Sequence, residues 1–413
     1  MTSNTICTFP WVHMSSHFEG DMIICCNTYD TETAKIKDEN GNNWNFKNIE
    51  NPLTFFNTED YKKIRKQMMD GEEPERCKKC YDIERLGGTS IRQNSLREFD
   101  IGHLLEHTNK ETGEIDSVQL QYVHLMWGNK CNLMCKMCDP MASDQLIEEY
   151  ERLETKKDIS FYKNINLNWD YELIEPILKA IAPYIKILNV TGGEPLINNE
   201  FLKYCQYLVN EGFAKDIKLA FHTNLTVLPT KIVEVWKHFK SVDCKVSVDA
   251  AYEDYEYIRY PGKWKTIEKN VKELTEIAKD VPELYVTFFT VFTAFNVHGI
   301  PKLIDYLCTY DFGSLKNVNP FPNTLMVTHP YYGDSKLIPA NFKVKITEEL
   351  EALCEKYKKD TYQAAINMLK ANLITMNSKH LKSDHFYNFV IQQDLQRTIS
   401  SKNIIPWYGE YNT

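Results

Sequence analysis

The sequence has no run of about 18 apolar residues, so no membrane-crossing helix is predicted. Its first residues, Met1-Thr-Ser-Asn-Thr-Ile-Cys7, lack a basic segment followed by an apolar one. No signal peptide is therefore expected, and the chain is assigned to the cytoplasm with no membrane partner. Basic residues are not in excess: 48 Lys and Arg against 57 Asp and Glu leave a net charge of −9, which argues against a nucleic-acid partner. No internal repeat or low-complexity tract stands out. With 43% hydrophobic and 25% charged residues the chain can bury a sizeable core, and 413 residues suit two or three domains or one barrel with appendages.

What the chain does have is cysteine, twelve in all. Disulfides are rare in a reducing cytoplasm, so clustered cysteines there point to metal binding or redox chemistry. Seven fall into patterned groups: Cys7, Cys25, Cys77, Cys80, Cys131, Cys135 and Cys138. Cys26, Cys205, Cys244, Cys308 and Cys354 are scattered and read as small buried hydrophobes.

Residues 1–100 read as irregular, with one helix expected over about 58–70, where Tyr61, Ile64 and Met68 recur at helical spacing. Residues 101–120 are polar and read as a connector. From 121 to about 325 short apolar runs alternate with amphipathic stretches. Strands are predicted at 123–128, 186–191, 217–222, 243–249, 284–293 and 316–320. Helices are predicted near 143–156, 171–182, 199–211, 229–239, 264–278 and 299–309. Six strand–helix units imply parallel strands with crossover helices, an α/β fold closing into a partial (β/α)6 barrel of the TIM type. Residues 326–413 form a C-terminal extension with helices near 347–371 and 386–399, which is expected to cap the active site.

After the first predicted strand comes Cys131-Asn-Leu-Met-Cys135-Lys-Met-Cys138, a Cys-x3-Cys-x2-Cys spacing. Three thiolates in eight residues converge on one cubane cluster and leave one iron open for a substrate or cofactor. Structural zinc prefers four ligands in pairs. The motif lies at the carboxyl end of a strand, where active sites of barrel proteins are found.

This motif resembles the signature of radical S-adenosylmethionine (radical SAM) enzymes. The resemblance implies a [4Fe-4S] cluster on Cys131, Cys135 and Cys138 whose open iron binds S-adenosylmethionine, with Met137 against the adenine. It further implies reductive cleavage to a 5′-deoxyadenosyl radical that abstracts hydrogen from a substrate, with a reductant such as flavodoxin or ferredoxin. The second strand ends in Gly192-Gly193-Glu194-Pro195, which in isolation reads as an ordinary turn and here looks like the family's GGE motif, facing the amino group of S-adenosylmethionine. Ser247 is placed near the ribose or carboxylate, Arg259 on the methionine carboxylate, and Asn224 near the cofactor. Asn296 is a further candidate, and His222 reads as a packed histidine.

A second cysteine set, Cys7, Cys25 after Gly20, and Cys77-Lys-Lys-Cys80, fits a four-cysteine cluster or a zinc knuckle equally well by spacing. It resembles the twitch form of the SPASM module, here preceding the barrel, which implies a second, auxiliary [4Fe-4S] cluster. Strand alternation sends Cys25 and Cys26 to opposite faces, and the Gly-x4-Cys spacing favours Cys25. Twitch and SPASM relatives commonly modify peptides, so a peptide or protein residue (crosslinked, epimerised or oxidised) is the leading substrate class. A sugar, nucleoside or amino acid is the alternative, followed by a tRNA and by a non-catalytic cluster-binding or regulatory role. Thr328–Asp334 and Asp394–Arg397 read as a packed aromatic loop and a helical surface pair, or as lining and cap of the substrate space.

Overall fold

The computed structural model describes residues 4–28, 31–85, 88–153, 159–164, 169–327, 331–381 and 384–408. Among them eight strands form one sheet: β1 (His13–Ser16), β2 (Met22–Ile23), β3 (Tyr122–Met126), β4 (Ile187–Thr191), β5 (Lys218–Thr223), β6 (Ser241–Ser247), β7 (Leu284–Phe292) and β8 (Asn317–Met326). Their spatial order is β2-β1-β3-β4-β5-β6-β7-β8, and only the β1–β2 pair is antiparallel. The strands from β3 onward follow chain order, so successive right-handed crossovers lay their helices on one face.

That face is apolar. Val123, Leu125, Leu188, Val190, Leu219, Phe221, Val242, Cys244 and Val246 are all buried. Alternation sends polar side chains to the other face: His124 in register with Asn189, and His222 with Lys245 and Thr287. The covering helices have the matching periodicity. In Asn199–Asn210 the Asn198 side chain caps the Glu200 and Phe201 amides, and Phe201, Tyr204, Cys205 and Leu208 face the core.

The N-terminal segment, expected to stand apart as an irregular module, extends this sheet. β1 pairs in parallel with β3, placing His13 opposite Tyr122, and Gly20 (φ +88°) turns the chain back into β2. The helix expected over 58–70 is Glu59–Met69. The connector over 101–120 begins with a helix, Ile101–Glu106. At the other edge β8 runs to Met326, beyond the expected end at 320. Pro320 and Pro322 obscure it in sequence, but an edge strand tolerates proline, and a register shift between Thr287 and Phe289 absorbs the irregularity. The helix expected over 347–371 is two, Ala340–Lys356 and Gln363–Ser378, and the last is Asp384–Arg397. Residues 328–330 of the aromatic loop lie outside the described residues. Of the remainder, Tyr332 stacks on Phe389 and bonds the Tyr150 hydroxyl at 2.7 Å. Among the described residues no helix is long and apolar enough to cross a membrane.

His222 illustrates the cost of a polar sheet face. Burial, with Lys245 and His124 nearby, pushes its pKa down to about 3 from 6.5. A depressed histidine gives stability that is present above pH 6.5 and lost as pH falls toward 3. The melting temperature is expected to drop through that window, and His222→Gln to flatten the drop; a pH profile that H222Q leaves unchanged would remove His222 as a cause.

Candidate active site

The cysteine loop begins where β3 ends. Gly128 (φ +72°) turns the chain, and the loop is then stitched to the segment after β4: the Trp127 amide donates to Thr191 O, Gly193 to Gly128 O at 3.0 Å, and Glu194 to Lys130 O at 2.8 Å. The two glycines are required by this contact. A Cβ on Gly193 would lie 2.0 Å from the Lys130 carbonyl oxygen, and one on Gly192 (φ +126°) would lie 2.5 Å from that of Gly128. The glycines thus admit the cysteine loop itself. Gly193→Ala is expected to cost about 2–4 kcal/mol of stability, because backbone must shift on both sides; an unchanged melting temperature would contradict the packing.

Glu194 is buried beneath this junction. Its carboxylate accepts hydrogen bonds from the Asn224 amide (2.6 Å), the Thr223 hydroxyl (2.7 Å) and the Leu196 amide (3.0 Å). Burial raises its pKa to about 7 despite them. Asn224 then reaches back to the loop, its amide 2.9 Å from Asn132 Oδ1 and 3.9 Å from Cys131 Sγ. Cys131 is half-buried, with its own amide on Asp144 Oδ1 and its thiol pushed up to about 12 by burial. Cys135 and Cys138 share a hydrogen bond that lowers the first and raises the second, and the nearby Arg259 guanidinium favours the thiolate of both.

Arg259 is no surface residue. It is 8% exposed, and its Nε donates to Asp249 Oδ2 at 2.7 Å. Asp249 is completed by the Val291 amide at 2.9 Å. The loop also reaches this segment through its backbone, Met134 N to Tyr260 O and Lys136 N to Ile258 O. Met137 is half-buried against the core, and Ser247 is half-buried at the end of β6. Asn296 has its side-chain amide engaged within the protein. It is fully buried, its Nδ2 on Asp249 O and Val291 O and its Oδ1 on Thr293, so its amide serves the fold. Asp394 and Arg397 are not a surface pair: both are buried, Asp394 on Lys136 and Arg397 on Glu149, and Arg397 lines a cleft with Met134 and Tyr260.

The second cysteine set converges as well. Cys7, Cys25, Cys77 and Cys80 line one small cavity, with Phe9, Ile24, Met68 and Ile91 as apolar walls. Asn27 donates to two of the sulfurs, its amide N–H to Cys25 at 3.4 Å and its side chain to Cys80 at 3.3 Å. Burial pushes the Cys7 thiol up to about 11 and Cys77 to about 12. Cys26 is absent from this lining; its thiol is hydrogen-bonded to the Cys25 thiol and to His124.

The family model of the radical SAM superfamily matches residues 125–307, from β3 through the helix Ile300–Thr309. Residues 125–307 are a radical SAM superfamily domain. The radical SAM cyclopropyl synthase TigE of Paramaledivibacter caminithermalis is 29% identical over 239 residues, which are 55% of this chain and 47% of that protein. The chain thus spans about half the length of this curated relative. Streptococcus suis SuiB bound to S-adenosylmethionine is 13% identical over 68% of this chain and 58% of its own, with a TM-score of 0.38. anSMEcpe with bound AdoMet and a Cp18Cys peptide is 15% identical over 68% and 67%, with a TM-score of 0.36. Cys131, Cys135, Cys138, the two glycines, Glu194, Asn224, Ser247 and Arg259 all fall within the radical SAM domain. The four-cysteine cavity lies before it.

Proposed function

We propose that this chain cleaves S-adenosylmethionine reductively and uses the 5′-deoxyadenosyl radical to take hydrogen from a peptide or protein residue. The observation that carries the reading is the Cys131–Cys138 loop, braced by Gly193 and Glu194 on one side and set beside Arg259 on the other. The donor set fits a three-cysteine [4Fe-4S] cluster, which when bound supplies an electron at an open iron. Arg259 is the candidate for the methionine carboxylate. Its Nη atoms have no hydrogen-bond partner among the described residues, while Asp249 fixes Nε. Met137, Ser247, Asn224 and the Gly192–Glu194 segment complete the proposed cofactor pocket. The polar face of the sheet, curled as a partial barrel, provides the substrate space.

The four-cysteine cavity is proposed to hold an auxiliary [4Fe-4S] cluster. Four cysteines lining one cavity supply the ligand number of a closed [4Fe-4S] cluster, and the Asn27 donors would supply the N–H···S bonds that tune one. This module favours a peptide substrate, as in the twitch and SPASM proteins it resembles. The name of the cyclopropyl synthase relative favours carbon–carbon bond formation among the outcomes. Transfer of deuterium from a labelled peptide into 5′-deoxyadenosine would test the substrate class; transfer only from a small molecule would replace it.

Arg259→Ala would strand Asp249, which is 1% exposed, and is expected to cost about 3–5 kcal/mol of stability. Arg259→Lys is the sharper probe. It keeps the charge, loses the fork, and is expected to weaken S-adenosylmethionine binding by about 1.5–3 kcal/mol. Unchanged affinity by calorimetry would confine Arg259 to its ion pair.

A further inference from the structure

Lys136 stands between Cys135 and Cys138, and its side chain is completely buried. A buried ammonium persists only with partners. Lys136 Nζ lies 2.9 Å from Asp394 Oδ1, 3.4 Å from Gln393 Oε1 and 4.2 Å from the centre of the Tyr257 ring. Asp394 gathers two more donors, the Tyr257 hydroxyl at 3.1 Å and the Ser401 amide at 2.6 Å. One turn on, Arg397 grips Glu149 through two bonds of 2.6 and 2.7 Å, and Gln393 Nε2 bonds the same carboxylate. Beside Glu149, the Tyr150 hydroxyl donates to the Cys138 carbonyl at 3.0 Å. The helix Asp384–Arg397 is thus fastened to the loop that carries the cysteines, from more than 250 residues away.

We propose that Asp394 is a positioning residue for the radical-site loop: acting through Lys136, it holds the Cys135–Cys138 turn against the Ile258–Tyr260 segment. The proposal rests on the radical SAM reading of that loop. Its physical content is that the loop's two long-range backbone bonds, Met134 N to Tyr260 O and Lys136 N to Ile258 O, depend on the buried charge below them.

The test uses full-length protein, anaerobically reconstituted, with Asp394→Asn, Lys136→Met and the double variant. Asn372→Ala is the comparator: it removes two bonds to Thr324 elsewhere in the C-terminal extension. Amide exchange at Met134 and Lys136, in apo and loaded protein, reports the loop. The electron paramagnetic resonance spectrum of the reduced cluster, with and without S-adenosylmethionine, reports the site. D394N is expected to speed exchange at both amides at least tenfold, change the response of the spectrum to S-adenosylmethionine, and lower 5′-deoxyadenosine formation about tenfold with iron retained. The double variant is expected to be no worse than either single. N372A is expected to lower the melting temperature without moving exchange or spectrum. Wild-type exchange and spectrum in D394N, or the same changes in N372A, would overturn the proposal. If wild type cleaves no S-adenosylmethionine, the radical reading fails, and exchange at Met134 and Lys136 still decides whether Asp394 holds the loop.

Discussion

Replacing Cys131, Cys135 and Cys138 together by Ala is expected to abolish 5′-deoxyadenosine formation by reconstituted, dithionite-reduced protein, while about four irons remain per chain. The fold has good reason to survive. Cys135 is buried, but the loop is held by bonds that none of the three thiols makes: Gly193 to Gly128, Glu194 to Lys130, Met134 to Tyr260, Asp144 to Asn129. The Ser143 hydroxyl adds a bond to the Leu133 carbonyl at 2.6 Å. Smaller side chains therefore remove the ligands and leave the frame. Iron analysis and chromatographic detection of 5′-deoxyadenosine decide the matter together. Cleavage surviving in the triple variant would end the radical assignment, and loss of all iron would mean that the second cysteine set binds none on its own.

The parallel strands were legible because their periodicity is local. Each apolar alternation in β3 to β7 reports a face that the helices cover, and each crossover helix shows its own stripe. β8 was cut short because Pro320 and Pro322 look like breakers, and only its place at the sheet edge makes them harmless. β1 and β2 are hidden for another reason: both are short, and the strand that ties β1 to the sheet, β3, is more than a hundred residues away. The site divides in the same way. The cysteines, the glycines and Glu194 carry their meaning in spacing. Arg259 is legible as a candidate, yet its burial depends on Asp249, ten residues away on the far side of the helix Tyr252–Ile258. Asn296 looked free because nothing in sequence shows that Asp249 and Val291 offer it carbonyls. Lys136, Asp394 and Glu149 are ordinary charged residues until the fold buries them together. The signal that was available was a lysine inside a cysteine motif, in a position that has to be either solvated or paired.

The four-cysteine cavity yields the other large effect. Wild-type protein purified anaerobically is expected to hold about eight irons and eight sulfides, and Cys77→Ala with Cys80→Ala to hold about four. Cys77 and Cys80 are three residues apart at the start of the helix Lys78–Arg85, and both thiols line the cavity with Cys7 and Cys25. Removing them takes half of the proposed ligand set. Cys25→Ala is expected to lower iron likewise, because its thiol faces the cavity and receives the Asn27 amide. Cys26→Ala is expected to leave iron near eight, because its thiol bonds Cys25 and His124 but does not line the cavity. In the absence of metal, burial holds Cys7 and Cys77 protonated at neutral pH, so loading must release protons, and iron uptake should be faster at higher pH. S-adenosylmethionine cleavage is expected to persist in the Cys77/Cys80 variant, since the radical-site loop shares no ligand with the cavity. Turnover of the true substrate is expected to fail if the second cluster carries electrons or walls the site. One zinc and about four irons in the wild type would refute the auxiliary cluster and leave the radical site untouched, and iron lost in Cys26→Ala but kept in Cys25→Ala would reverse the assignment of the ligand.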